Sequence, residues 1–397
     1  MSQTKTPQWL THANQNISSV LRILSNRENR RSKARQLSSV QTLHGSQLPT
    51  VIATMEKEVK PSELEHYSIV SGVHKDVMPM NRYTDIIPYD RTRVIVKEKS
   101  SDLKDSEGTE QHDRYLNANW VLERYGHKYW IAAQAPLRNT AHAFMSLMLS
   151  SVWPPQTSST QGNRIRTVVQ LTQNVEGGRK KADAYFPSEV GESVIVRPEP
   201  KCYDPPLRVT LLAVKSHKDA HCVQSTVSVT PLPTNAQNPI EDEIIFNHML
   251  YLSWPDHGVP EPEDRKSLLK FVKLVDRVNR DTAQCRVHTT SPGHSCAETD
   301  PDPPIMVNCS AGIGRTGSFL AISSLLRNYG FLPPAAHPAT IPPTDASPLG
   351  PVPSDLKDDL ILQEIDSLRE QRPGMVQRSE QVLLVYELLA DAFAEAT

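Results

Sequence analysis

The feature that most constrains this chain is a strand, a loop of small residues and a helix that follow one another within fifteen residues. Residues 305–307 are apolar, 309–314 form the small-residue loop, and a helical apolar pattern runs through 316–329. A strand that enters a helix through such a loop places main-chain N–H groups at the helix N-terminus. The segment therefore predicts an anion-binding site.

Two kinds of anion site are consistent with this loop. Gly312, Gly314 and Gly317 match the G-x-G-x-x-G pattern of dinucleotide sites. That pattern requires a second strand that ends in an acidic residue about 20 positions further on. Here the corresponding stretch is rich in proline, and Asp345 cannot end a buried strand. We therefore favour a site built on Cys309.

Cys309 lies six positions before Arg315, and Thr316 follows directly. A thiolate at a helix N-terminus and beside a guanidinium is stabilised and is nucleophilic at neutral pH. Arg315 offers a planar fork for two phosphoryl oxygens, and the Thr316 hydroxyl can donate a hydrogen bond to the sulfur as it leaves. These residues predict cysteine-based phosphoryl transfer. The alternative is a buried structural cysteine beside a surface arginine.

The composition excludes several other classes of protein. With 43 Lys+Arg and 45 Asp+Glu, the chain has no overall field that would recruit nucleic acid or an anionic membrane. It contains no run of about 18 apolar residues, and it starts with a polar segment, so we expect neither a membrane span nor a secretion signal. The five cysteines lack Cys-x-x-Cys spacing, which argues against disulfides and a zinc site. We expect a cytoplasmic protein, with access to the nucleus left open.

Residues 1–60 are predicted to form an N-terminal extension. Ile17, Val20, Leu21 and Leu24 have the spacing of an amphipathic helix, and a basic segment, 27–35, follows it. We interpret the basic segment as a solvated tail. The alternative is a docking segment for a partner kinase, with a kinase site at Ser38.

Residues from Asn81 onward alternate short strands with turns and helices. Strands are predicted at 93–96, 129–132, 166–171, 192–196, 207–214, 224–229 and 243–252, and helices at 265–280, 316–329, 354–370 (with Ser354 as N-cap) and 379–394. The pattern predicts an α/β fold of the α+β type with a large mixed β-sheet. The proline-bearing segments 286–304 and 331–353 are predicted to be exposed loop insertions.

The loop 307–317 resembles the signature loop of the tyrosine-specific, non-receptor protein tyrosine phosphatases. Further segments resemble other motifs of that family, in the family's order: the phosphotyrosine-recognition loop (81–90), core motifs (115–119 and 133–136), a supporting loop (176–187), the mobile acid loop (254–256) and the water-positioning loop (371–381). The resemblance implies one catalytic domain, 61–395, whose highly twisted sheet is flanked by helices on both sides. It also implies phosphotyrosine proteins as substrates in signal transduction, and no metal or cofactor.

The resemblance also implies roles for individual residues. Cys309 would be the nucleophile and Asp256 the general acid and then base, and Gln377 and Gln381, four apart on one helical face, would orient water. The phosphate would be bound by the loop and its fork: Ser310, Ala311, Gly312, Ile313, Gly314 and Arg315. Tyr83 would deepen the pocket and Asp85 would hold the substrate peptide. Four residues would support these groups: Glu176 on Arg315, Lys181 near Asp256, Trp254 in the acid loop and Asn308 beside the thiol.

Asn308 is the most consequential departure from the family, which has histidine there. A neutral amide adds no positive charge beside the thiolate. The alternative function is therefore a phosphotyrosine-binding scaffold of low activity. Four other departures affect packing or the pocket rim: Ala135, Ala182, Phe186 and Arg378. The oligomeric state is left open.

Overall fold

The computed structural model describes residues 5–44, 58–98, 113–155, 164–233, 243–255, 258–282, 300–341 and 346–396. Within these ranges the helices are α1 (Gln8–Thr11), α2 (Ala13–His44), α3 (Pro61–His66), α4 (Val70–Val73), α5 (Ala141–Leu149), α6 (Pro262–Arg280), α7 (Gly314–Asn328), α8 (Leu360–Gln371) and α9 (Ser379–Ala394). The strands are β1 (Ala118–Leu122), β2 (Tyr129–Ala133), β3 (Thr167–Gln170), β4 (Val175–Glu176), β5 (Arg179–Lys180), β6 (Ser193–Val196), β7 (Leu207–His217), β8 (Cys222–Pro231), β9 (Ile244–Tyr251) and β10 (Ile305–Asn308).

Eight strands form one mixed sheet in the order β1-β2-β10-β3-β9-β8-β7-β6. The four central strands, β2, β10, β3 and β9, run parallel, and the outer strands pair antiparallel. Because parallel strands end at the same edge, the segments after Ala133, Gln170 and Asn308 meet there. The strands β4 and β5 form a separate hairpin.

Helices cover both faces of this sheet. Met306 of β10 packs in the cluster that contains Phe144 of α5. The neighbouring Val307 points the other way, into the larger cluster with Phe271 of α6 and Leu320 of α7. The predicted α/β fold with a mixed sheet flanked by helices is confirmed. Among the described residues, no helix is long and apolar enough to cross a lipid bilayer.

The N-terminal segment is part of this packing. The amphipathic helix and the basic segment form one continuous helix, α2, and Val20 and Leu24 belong to the main core. Arg31 is fully buried and pairs with Asp366 and Glu370 of α8. The expectation of a solvated tail was therefore wrong, because carboxylates distant in sequence neutralise the basic segment.

Ser38, the kinase site under the docking alternative, is also buried, and its Oγ accepts a hydrogen bond from the N–H of Ile69 at 3.2 Å. The folded chain thus withholds this hydroxyl from a kinase. The basic side chains that stay half-exposed are Arg30 and Lys33, and these pair with Glu63 and Glu58.

Two further expectations need correction. Ser354 lies in a short 3₁₀ turn, and α8 begins at Leu360 because the Asp359 side chain accepts the Leu362 N–H at 2.9 Å and caps it. The described parts of the insertions are not simply exposed loops. Leu332 is buried in the main core, and the Asp302 side chain is buried against Lys128. The rest of 286–304 lies outside the described residues.

Candidate active site

The signature loop lies at the carboxyl edge of the parallel strands, between β10 and α7. Gly312 has a φ of +72°, and a Cβ there would lie 2.0 Å from the carbonyl oxygen of Ala133. A Cβ on Gly317 would lie 2.3 Å from the backbone nitrogen of Val376. Glycine is therefore required at both positions for close backbone approach, and no dinucleotide is needed to explain the pattern.

The carbonyl groups of residues 310–313 are held by groups outside the loop. The oxygen of Ser310 accepts the N–H of Ala135 at 3.0 Å, and that of Ile313 accepts the N–H of Val376 at 3.1 Å. The guanidinium of Arg372 donates to the oxygens of Gly312 and Ala311 at 2.8 and 3.0 Å. With its carbonyls held outward, the loop leaves its N–H groups to face an anion.

The thiol of Cys309 lies within this ring of donors, and the Gly312 N–H donates to its sulfur at 3.3 Å. Burial alone would raise the pKa of this thiol. Its pKa is nevertheless lowered, because the Thr316 hydroxyl, the charge on Arg315 and the N–H groups of Thr316 and Ile313 stabilise the thiolate. The site can therefore supply a nucleophilic thiolate near neutral pH.

Arg315, in the first turn of α7, is held by Glu176 in a bidentate pair of 2.7 and 2.8 Å. The same guanidinium donates to the carbonyl oxygens of Leu171 and Pro255. The pKa of Glu176, which burial would raise, is lowered by the bonds and charge of Arg315. The pair fixes the plane of the fork beside the loop.

Tyr83 reaches the signature loop through Ser310. The hydroxyl of Ser310 donates to the carbonyl oxygen of Lys181 at 2.7 Å, and the Tyr83 hydroxyl lies 2.8 Å from the same Ser310 oxygen. One serine thus joins the recognition loop, the supporting loop and the signature loop. Asp85 is exposed, two residues beyond Tyr83.

The acid loop is described on both sides of its central residue. Trp254 is buried, and its indole N–H donates to the carbonyl oxygen of Gly258 at 3.3 Å. Arg315 donates to the neighbouring Pro255 carbonyl at 3.1 Å. Asp256, the predicted general acid, lies outside the described residues.

Gln377 and Gln381 do not share a helical face, so that expectation was wrong. Gln377 is exposed in the loop before α9, whereas Gln381 is buried in the first turn of that helix. The Gln381 side chain accepts the N–H of Arg378 at 3.2 Å and caps the helix. A Cβ on Gly314 would lie 2.9 Å from the Gln381 amide nitrogen, so Gln381 contacts the signature loop directly.

Asn308 is fully buried directly before the thiol-bearing residue. Its Nδ2 donates to the Cys309 carbonyl oxygen at 3.3 Å, and its Oδ1 has no partner among the described residues. Of the two polar atoms of this side chain, one therefore has a hydrogen-bond partner and the other has none among the described residues.

Arg372 was missed by the sequence analysis. Besides the two loop carbonyls, it donates to the side-chain oxygens of Asn117 and Asn119 at 2.9 and 2.8 Å. Burial lowers the pKa of Arg372 to about 10, and the nearby Cys309 opposes this shift. The motif 115–119 was a usable signal for this cluster, but nothing in the sequence linked it to Arg372.

One group of potential metal ligands lies among the described residues: His142, Glu199 and Cys202. The guanidinium of Arg114 lies 2.7 Å from the ring nitrogen of His142 and donates to both oxygens of Glu199. A cation held there competes with a metal ion, so the group is better described as an ion-pair cluster.

The fold and this loop define a class of protein in which a cysteine thiolate and an arginine are arranged to bind an oxyanion. Residues 77–330 match the sequence model of the protein-tyrosine phosphatase family. The chain belongs to this family.

Relatives include both receptor and non-receptor proteins. The chain is 29% identical over 315 residues to mouse tyrosine-protein phosphatase non-receptor type 18, covering 79% of this chain and 52% of that protein. It is 27% identical over 325 residues to rat receptor-type tyrosine-protein phosphatase zeta, covering 81% of this chain but 11% of that protein. The crystal structure of the catalytic domain of human non-receptor type 18 matches with a TM-score of 0.53 at 25% identity, covering 82% of this chain and 88% of the other.

Proposed function

We propose that this protein hydrolyses phosphotyrosine in proteins through a cysteinyl-phosphate intermediate. The observation that carries the proposal is the Cys309 thiol of lowered pKa, set in a loop in which the carbonyls of residues 310–313 are held outward. Such a loop is organised for an oxyanion before the substrate arrives. Membership of the protein-tyrosine phosphatase family supports the same reaction.

In the first step the Cys309 thiolate attacks phosphorus in line. The sulfur–phosphorus bond forms as the bond from phosphorus to the tyrosyl oxygen breaks. Asp256 gives its proton to the departing phenolate, while Arg315 and the N–H groups of residues 310–314 hold the phosphoryl oxygens. The Arg315 contact with the carbonyl of Pro255 supports this assignment, because it brings the acid loop to the fork.

In the second step water attacks the cysteinyl phosphate. Gln377 and Gln381 orient the water, and Asp256, now a carboxylate, takes its proton. The sulfur–phosphorus bond breaks, inorganic phosphate is released and the thiolate returns. The Thr316 hydroxyl stabilises the leaving sulfur. Lys181 would hold Asp256 when the acid loop closes.

Selection of phosphotyrosine follows from the depth of the pocket. Tyr83, held against Ser310, would form its wall, so that a phosphotyrosine reaches the thiol and a phosphoserine is too short. Asp85 is exposed beside this wall and can accept N–H groups from the substrate backbone. We place the reaction in intracellular signalling, a proposal that the non-receptor relatives support.

The alternative of a low-activity scaffold rests on Asn308. The lowered pKa of Cys309 argues for turnover, because Thr316 and Arg315 stabilise the thiolate without a histidine. Purified protein should therefore release an aryl alcohol from an aryl phosphate, and vanadate should inhibit it.

The Cys309→Ser variant provides the matched test. It should lose turnover and still bind a phosphotyrosine peptide, because Arg315 and the loop N–H groups remain. Binding without turnover by the unmodified protein would instead favour the scaffold. Substantial turnover by Cys309→Ser would exclude a cysteinyl phosphate.

A further inference from the structure

Val376 is held in an unusual backbone conformation directly before Gln377. Its φ is +54°, in the left-handed region that β-branched residues rarely adopt. Its N–H donates to the Ile313 carbonyl at 3.1 Å, and its backbone nitrogen lies against Gly317 of α7. Contacts with the surrounding structure must hold this conformation, because a free valine would return to a negative φ.

Arg369 supplies such contacts. Its Nε donates to the carbonyl oxygen of Met375 at 2.8 Å and its Nη2 to that of Val376 at 2.7 Å. Its Nη1 donates to the carbonyl oxygen of Leu24, in α2, at 2.9 Å. The three nitrogens of one side chain thus hold two consecutive peptides of the loop and one peptide of the N-terminal helix.

The cost of this arrangement indicates a specific role. Arg369 is buried, and among the described residues it forms no ion pair within 4 Å. Burial lowers the pKa of its guanidinium, and the charges of Glu28 and Asp366, which do not bond to it, oppose this shift only in part. A buried cation that donates only to carbonyl groups is poorly compensated in energy. Such a group is retained where its geometry serves a purpose, and here the geometry orders the peptide next to Gln377.

We propose that Arg369 is a positioning residue for the second chemical step, and that α2 supports it through the Leu24 carbonyl. The inference rests on the proposed function, in which Gln377 orients the attacking water. By holding Met375 and Val376, Arg369 sets where the chain delivers Gln377. The first step depends less on this contact, because Arg372 holds the carbonyls of Ala311 and Gly312 and Glu176 holds the guanidinium of Arg315. Of the loop carbonyls, the one that bonds to the segment held by Arg369 is that of Ile313.

Arg369→Gln tests the role through a split between two kinetic parameters. With an aryl phosphate of good leaving group, kcat should fall about tenfold or more, while kcat/KM, which reports formation of the cysteinyl phosphate, should stay within about twofold. A burst of aryl alcohol should appear in stopped flow, and quenched samples should contain more phosphoenzyme. Arg369→Lys should show an intermediate loss, because lysine carries all its donors on one nitrogen and cannot reach the three carbonyls in the geometry of the guanidinium.

Arg27→Gln is the matched control. Arg27 also joins α2 to α8, through Asp366, and it donates to the Gly350 carbonyl, but it has no contact with Met375 or Val376. The Arg27→Gln variant should be less stable, but its kcat and kcat/KM should keep their ratio, so that KM is unchanged. If Arg369→Gln lowers both parameters equally and no phosphoenzyme accumulates, or if Arg27→Gln produces the same split, the inference is wrong.

Hydrogen exchange at Val376 and Gln377 separates this inference from the proposed function. If the unmodified protein shows no turnover, the proposed function fails, and amide exchange then decides the role of Arg369. Faster exchange at these two amides in Arg369→Gln, but not in Arg27→Gln, would support the positioning role. Unchanged exchange would overturn it.

Discussion

Two pairs of buried arginines show how differently the chain uses the same side chain. Arg27 and Arg31 of α2 lie against the carboxylates of Asp366 and Glu370. Arg369 and Arg372 lie near the active site and donate mainly to carbonyl oxygens. The first pair is neutralised, and the second keeps its positive charge.

The difference in partners separates arginines that attach one helix to another from arginines that act on the active site. An arginine paired with carboxylates joins two helices but has little net field at a distance. An arginine bonded to carbonyls keeps its field and also orients peptides, and Arg372 does both beside Cys309. Changes in the first pair should therefore reduce stability, and changes in the second should reduce activity.

The largest effect is expected from Arg31→Met. The change leaves Asp366 and Glu370 buried with less compensating charge, so the free energy of unfolding should fall by about 3–5 kcal/mol. Chemical denaturation measures this fall. Lys33→Met, which removes a half-exposed pair with Glu58, should change stability by at most about 1 kcal/mol. Equal losses in the two variants would remove the distinction between buried and surface pairs.

A pH titration of stability tests the same cluster. Burial would raise the pKa of Glu370, but the hydrogen bond from His66 and the charge of Arg31 lower it to about 2. Since the folded pKa lies below the unfolded value of about 4.3, the stabilisation is complete above that pH and is lost as pH falls towards 2. The loss should amount to about 3 kcal/mol in the unmodified protein and much less in Arg31→Met. Parallel curves would show that Arg31 does not hold this carboxylate.

Arg372→Gln should act on activity instead. Without this side chain, the carbonyls of Ala311 and Gly312 lose their donors and the thiolate loses a nearby cation, so kcat/KM should fall about 10²-fold. The pKa of Cys309, followed by the pH dependence of iodoacetate inactivation, should rise. In Arg31→Met the inactivation curve should keep its position, since that arginine is neutralised by carboxylates of α8. If the Cys309 pKa shifted by a similar amount in Arg372→Gln and Arg31→Met, the two pairs of arginines would not differ in their effect on the active site.

Asn308→His should have the smallest effect. A histidine would add a charge beside the thiolate, so the Cys309 pKa should fall by about one unit, or 1.4 kcal/mol. The acidic limb of kcat/KM should move to lower pH accordingly. Superimposable inactivation curves would mean that Asn308 already provides what a histidine would.

Local patterns were enough to predict much of the fold. The helix α9 was predicted with its observed bounds, 379–394, because a cap and an apolar period lie within one segment. The strands at 129–132 and 166–171 were predicted from short β-branched or aromatic runs bounded by turn residues. By contrast, β1 and α5 were missed, because each is buried along its length and shows neither a clear run of β-branched residues nor a period that distinguishes a helix from a strand.

The candidate site was predictable where its reactive residues lie within one short stretch of sequence. Cys309 and Arg315 could be recognised because the loop that joins them also sets their distance. Gln377 was assigned to a helix in error, since its conformation depends on Val376, and Val376 depends on contacts with Ile313 and Arg369. The fate of the basic segment likewise depended on α8, more than 300 positions away.

The sequence by itself determined the strand, loop and helix around Cys309, since glycine freedom, strand propensity and helix propensity act over a few residues. Only the tertiary structure decided which arginines are neutralised and which retain their charge. That choice depends on whether a carboxylate or a carbonyl comes within hydrogen-bond reach after the chain has packed. Arg31 and Arg372 are alike as residues, and their different partners, Asp366 and Glu370 or the signature loop, set their effects.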